Sequence, residues 1–235
     1  MKRPGGKSWA SGCVVSHKYK FVYIHVLKSG GTATKEFIRK SLCGENDKDC
    51  SHVDRKIVSS VSCKLAMRQY PDYFTFTFVR NPFLRMYSMY SMSDGFPVSP
   101  SLRGHVTERM PFENFVRMTP KERKQYTKMH QSHYYPQSDF ILSKSNCPAF
   151  DFLGRVEHFD EDMRTILEYL NAREMLDYLD KNGVQPANTW GANKKKSIGG
   201  DLKSVYSSQE ISRVATDYKN DFLLLGYDNN QVLTD

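Results

Sequence analysis

Long apolar runs are missing from this chain. Nowhere do its 235 residues approach the eighteen or so consecutive apolar side chains of a membrane span, so no spanning helix is expected. The amino end, MKRPGGKSWASG, starts basic but carries no apolar stretch of the kind found in a secretory leader. We therefore expect neither signal nor anchor within this chain, which leaves the compartment open. Zinc-ligand spacing is absent among the five cysteines, Cys13, Cys43, Cys50, Cys63 and Cys147, and an odd count leaves at least one unpaired in a monomer. Cys43 and Cys50 flank the acidic loop GENDKD and either close a small disulfide or stay as two thiols. No Asn-x-Ser/Thr sequon occurs, a mild argument against a glycosylated setting. No Walker A order, RNP motif, zinc-finger spacing or internal repeat is present either, which argues against a standard nucleoside triphosphatase and against the common nucleic-acid modules.

What is present is the composition of a globular domain, 39% hydrophobic and 13% aromatic, in a chain long enough to bury one sizeable core. We expect a flexible, basic, Gly/Ser-rich arm over residues 1–19 and a single α/β domain over residues 20–235. A net charge of +8 and a pI near 9.1 point to an anionic partner, with polyanionic sugar, nucleotide and nucleic acid all fitting.

The stretch FVYIHVLKSGGTATKEF, Phe21 to Phe37, opens as a strand buried on both faces. Lys28, Ser29, Gly30, Gly31 and Thr32 then form a polar turn whose glycines let backbone approach a ligand, and from about Thr32 to Leu42 the spacing of Phe37, Ile38 and Leu42 predicts a helix facing a sheet. Such a strand–turn–helix aims free N–H groups and the positive end of the helix dipole at the turn, where Lys28 adds a full charge.

A second strand, Tyr73 to Val79, ends in Arg80, Asn81 and Pro82, and Phe83, Met86, Tyr87 and Tyr90 follow at helical spacing. In open α/β sheets ligands bind at the carboxyl edge, so both strand tips are expected there. Further along, a short helix is expected over Phe112–Met118, a strand over Phe150–Val156, and helices over Glu161–Leu170 and Ser208–Leu225, the last entered through Ser207 to Glu210. Ile57 to Met67 reads equally as short helix or strand.

Taken together, VLKSGGTATKEF and FVRNPFLRMYSMY resemble the two nucleotide-binding motifs of sulfotransferases that use 3′-phosphoadenosine 5′-phosphosulfate (PAPS), most closely the Golgi-type carbohydrate enzymes of the heparan sulfate 6-O- and 2-O- and chondroitin types. HYYPQ, CPAFDFLGRVE and YKNDFLLLGY extend the likeness to roughly residues 20–227. The resemblance implies a three-layer α/β fold around a central parallel sheet, related to P-loop kinases. It implies that Lys28, Ser29, Gly30, Gly31, Thr32 and Ala33 wrap the 5′-phosphosulfate, that Arg80 and Ser88 hold the 3′-phosphate, and that the compartment is the Golgi lumen. Lys194 to Lys196 with Gly199 and Gly200 resemble the basic glycine loop of cytosolic sulfotransferases, which would add Lys196 to the nucleotide ligands. The tryptophan of that loop is missing, Leu202 stands in its place, and a solvated charge run is the reading favoured there.

The reaction implied is in-line sulfuryl transfer from PAPS to an acceptor hydroxyl, leaving adenosine 3′,5′-bisphosphate and needing no metal. The acceptor implied is a saccharide; no nucleic acid is expected as substrate, and the oligomeric state is not encoded in any feature found. Lys28 suits the bridging oxygen of the leaving nucleotide. An imidazole suits the base near neutral pH. His52, in CSHVDR, is the first candidate and His133, in HYYPQ, the second, whereas His25 reads as a core histidine of the first strand. Two other readings stay open, a nucleotide or small-molecule kinase of related fold and a non-catalytic binder of anionic glycan or nucleic acid.

Overall fold

The computed structural model describes residues 12–44, 53–54, 63–92, 110–127, 131–141, 150–185 and 205–229. His52 and Lys196 lie outside them. The chain forms two compact units, one of residues 1–80 and 139–190, the other of residues 81–138 and 191–235.

The first unit carries β1 (Cys13–Ser16), β2 (Phe21–Ile24), β3 (Val53–Asp54), β4 (Phe74–Val79) and β5 (Phe152–Arg155), in the order β3-β1-β2-β4-β5. Strands β2, β4 and β5 are parallel, with Ile24 opposite Thr77 and Val79 opposite Arg155, while β1 is antiparallel to both β2 and β3. The expected α/β architecture is thus present, with a parallel centre and an antiparallel edge. One expectation is corrected: Cys13–Ser16, inside the stretch read as a flexible arm, is a fully buried strand. Its Cys-Val-Val-Ser run is too short to signal a strand among Gly, Ser and Lys, and pairing with β2 supplies what local preference does not.

Side-chain alternation sorts the sheet into faces. Val14, Phe21, Tyr23, Phe76 and Phe78 point to one side, where they pack with α1 (Gly31–Cys43), α7 (Phe159–Tyr169) and α8 (Arg173–Asn182). Cys13, Val15, Val22 and Ile24 point to the other, against Ala66 and Met67 of α2 (Cys63–Gln69). These are the three layers. Phe37 and Ile38 anchor α1 on the sheet, each contributing about 1.5–3 kcal/mol by burial. Cys13 and Cys43 are each disulfide-bonded.

The second unit is helical, with α3 (Pro82–Met92), α4 (Phe112–Arg117), α5 (Pro120–Thr127), α9 (Ser208–Asp217) and α10 (Lys219–Leu225); the short α6 (Ser138–Ile141) falls at the unit boundary. Its core is aromatic, built around Phe83, Tyr90, Phe112, Phe115, Tyr206 and Phe222. Helix α9 starts with a capping box in which Ser207 and Glu210 satisfy each other's backbone N–H groups. The expected continuous last helix breaks at Tyr218, whose φ of −116° leaves the helical range while its buried hydroxyl donates to the Tyr134 carbonyl at 3.1 Å. Arg123, fully buried, donates to the carbonyls of Phe115 and Val116 at 3.0 and 2.6 Å and so closes the C-terminal end of α4.

Candidate active site

The site in the first unit begins where β2 stops. Past Ile24, the His25 N–H donates to the Gly12 carbonyl at 3.2 Å, Val26 and Leu27 stay buried, and Ser29 N–H donates to Val26 at 3.3 Å, turning the chain back. Two residues of this turn take left-handed backbone, Lys28 at φ 65° and Gly30 at φ 71°. For glycine that conformation is free, but for a lysine it costs on the order of 1–2 kcal/mol.

Helix α1 is then entered through Gly30 without any side-chain cap and with no acidic residue in its first turn. Thr34 ties its own N–H and hydroxyl back to the Gly30 carbonyl at 2.9 and 3.1 Å. The first turn therefore keeps its positive dipole end uncompensated by any carboxylate of its own, the condition an anion needs. Ser29 is buried, Lys28, Gly30 and Ala33 are half-buried, and Thr32 is exposed.

Close packing explains the two glycines. A Cβ on Gly30 would lie 2.8 Å from Phe159 Cε2 and 3.2 Å from Val156 Cγ2, and Phe159 itself stacks on Phe78 at 4.3 Å. A Cβ on Gly31 would lie 1.7 Å from His25 Nε2 and 1.8 Å from its Cδ2. His25 is consequently not the core histidine of a strand: it follows β2, is half-buried, stacks on Tyr23 at 6.4 Å and presents its ring edge to the first turn of α1. Only the tertiary placement of α1 reveals this. Burial pushes the Tyr23 hydroxyl well up, against a smaller opposing effect from Thr34. It also holds the Lys35 ammonium, one turn beyond Gly31, below its usual range.

Arg80 follows directly on β4, the strand beside β2, and is half-buried. Helix α3 then starts differently from α1, because Asn81 Oδ1 accepts the Phe83 N–H at 2.9 Å and Pro82 has no N–H to satisfy. Its amino end is closed by its own sequence, so an anion at this tip would rely on side chains. The third parallel strand, β5, ends in Arg155, which no nucleotide-binding motif of the sequence includes. Its N–H donates to Asp162 at 2.6 Å, and the side chain is half-buried. The sheet thus brings the Lys28 turn, Arg80 and Arg155 to one carboxyl edge.

Ser88 lies half-buried on α3 in the second unit. There the other motif arginine, Arg85, is fully buried, donates to the His133 carbonyl at 3.0 Å and lies over the Tyr218 ring at 5.7 Å. His133 is half-buried in the 3₁₀ turn Gln131–Tyr134, and the segment that follows it is held by Asp221, whose carboxylate accepts the Gln137 and Ser138 N–H groups at 2.8 Å each. Arg85 and Asp221 are the supports that sequence reading missed, since neither residue type announces a buried role. Among the described residues no group of three or more His, Cys, Asp or Glu could hold a metal ion, and no helix is long and apolar enough to cross a membrane.

A parallel-centred sheet whose carboxyl edge carries a glycine turn, an uncapped helix and guanidinium tips defines an α/β protein with an edge chemically suited to an anion. A family model described as "Sulfotransferase family" matches residues 11–228, and the chain belongs to that family. No curated protein and no solved structure matched it. Its chemistry is accordingly sulfuryl transfer to an acceptor that offers a hydroxyl.

Proposed function

We propose that the protein transfers the sulfuryl group of PAPS to a hydroxyl of a carbohydrate. The observation that carries this reading is Lys28, held at φ 65° ahead of two glycines at the mouth of an uncapped helix. The turn suits a phosphosulfate: the first turn of α1 has no side-chain cap and holds no acidic residue. Bound there, PAPS supplies an activated sulfuryl group on a nucleotide that can leave.

Lys28 and the residues from Ser29 to Ala33 surround the 5′ end, with Lys28 countering charge that grows on the departing oxygen. Arg80 offers a two-pronged match to the 3′-phosphate, with Ser88 as a second ligand. Preference for this nucleotide over ATP follows from the 3′-phosphate contact. The acceptor hydroxyl gives its proton to a histidine, His52 first and His133 second; the Arg85 bond to the His133 carbonyl supports the latter by fixing its backbone. A net charge of +8 suits an acidic glycan. The disulfides at Cys13 and Cys43 support an oxidising compartment such as the Golgi lumen.

Calorimetric titration with adenosine 3′,5′-bisphosphate, with ATP as comparison, tests the donor. Binding in the micromolar range, lost in Arg80→Ala and much tighter than ATP, is expected; equal or tighter ATP binding would refute it. Turnover of PAPS with a panel of glycans and small hydroxyl compounds then tests the acceptor, and Lys28→Ala should abolish it.

A further inference from the structure

We propose that His25 is a positioning residue of the donor site, holding the first turn of α1 in the geometry that meets the 5′-phosphate end of the nucleotide. The inference rests on the PAPS reading above and assigns a role to a side chain that the reading does not use.

Three observations converge on it. The imidazole edge fills the space in which any residue but glycine at position 31 would place its Cβ, with Nε2 1.7 Å, Cδ2 1.8 Å and Cε1 2.7 Å from that point. The ring is itself braced, stacked on Tyr23 with an interplanar angle of 28°, while the His25 backbone is tied to Gly12. Finally, α1 has no side chain of its own capping its first turn, so the orientation of those N–H groups depends on what packs against them. Gly31 gives the turn no side chain with which to wedge itself, and the His25 ring is the wedge.

Because His25 acts through Gly31, its loss should weaken contacts at the 5′ end and leave those at the 3′-phosphate alone. The test is calorimetric titration of the full chain with two probes, adenosine 3′,5′-bisphosphate and adenosine 3′-monophosphate. Misaligning one charge-assisted hydrogen bond corresponds to about a tenfold loss. His25→Ala should therefore bind the bisphosphate about tenfold more weakly and the monophosphate as the wild type does. A general loosening of the fold would weaken both.

The double variant His25→Ala/Gly31→Ala guards against mere unfolding, since its new methyl group occupies the place of the lost ring edge, and it should recover most of the bisphosphate affinity. An unchanged ratio between the two probes in His25→Ala, or equal losses for both, would overturn the role of His25 while leaving the donor reading intact. Failure of the wild type to bind the bisphosphate would overturn the donor reading and this inference with it.

Discussion

Gly31→Ala offers a test of the packing at the mouth of α1 that needs no ligand. Position 31 has ordinary helical backbone, so alanine there has no conformational objection and by propensity alone would stabilise the helix by up to about 1 kcal/mol. The objection is steric. Carbon atoms in contact sit about 3.5–4.0 Å apart, and the new methyl would start 1.7 Å from His25 Nε2, so the ring must retreat by about 2 Å against its stack on Tyr23. Overpacking of this kind costs about 1–3 kcal/mol. The net expectation is destabilisation by up to about 2 kcal/mol, or a fall of roughly 2–4 °C in melting temperature per kcal/mol in a chain of this size. In a His25→Ala background the clash is gone and the same substitution should become neutral or stabilising. Urea unfolding of the four proteins of this cycle, followed by circular dichroism, measures the coupling, expected to equal the overpacking cost of about 1–3 kcal/mol. Equal destabilisation by Gly31→Ala in both backgrounds would refute the reasoning.

Other outcomes follow from the same structure. Lys28→Gly should remove left-handed strain and raise stability by about 0.5–1 kcal/mol while abolishing sulfuryl transfer, so a thermal melt and a turnover assay should move in opposite directions. Asp221→Ala leaves the Gln137 and Ser138 N–H groups buried without their acceptor and should cost about 2–5 kcal/mol in chemical denaturation, with Asp221→Asn intermediate. For Glu210, burial raises the carboxyl, but hydrogen bonds from Ser207 and Arg117 outweigh it and hold the group below its usual range. Its contribution is therefore complete above the unfolded value of about 4.3 and is lost as pH falls through the lower folded value. Glu210→Gln should flatten the acid limb of a stability–pH profile, and an unaltered limb would count against that assignment.

The parts of the fold written in local sequence were legible. Strand β2 and the turn after it were signalled by an unbroken β-branched and aromatic run followed by Lys-Ser-Gly-Gly, and the start of α9 by a serine three residues before a glutamate. Strand β1 was not legible, because four residues ending in serine hold as a strand only between partners. Nor was the break at Tyr218, where the buried hydroxyl bonds to the distant Tyr134 carbonyl. In the candidate site, Lys28 stood out because it precedes a Gly-Gly turn, and Arg80 because it sits between a strand and a proline-started helix in a motif resembling a nucleotide-binding one. His25 did not, since a histidine adjoining an apolar run looks like core until α1 is laid beside it. Arg85 and Arg123 would pass for surface charges, and only their carbonyl partners identify them as internal struts.

The unequal entries of α1 and α3 have a thermodynamic consequence. Helix α3 brings its own closure in Asn81, so its amino end is complete whether or not anything is bound. Helix α1 has no such closure, and an incoming anion would serve as its missing end group. Occupancy would then slow hydrogen exchange at the amides of Thr32 and Ala33 while leaving those at the start of α3 unchanged. The heat resistance of the protein would accordingly rise with the logarithm of ligand concentration above the dissociation constant, making a melting curve a gauge of how much nucleotide surrounds the enzyme.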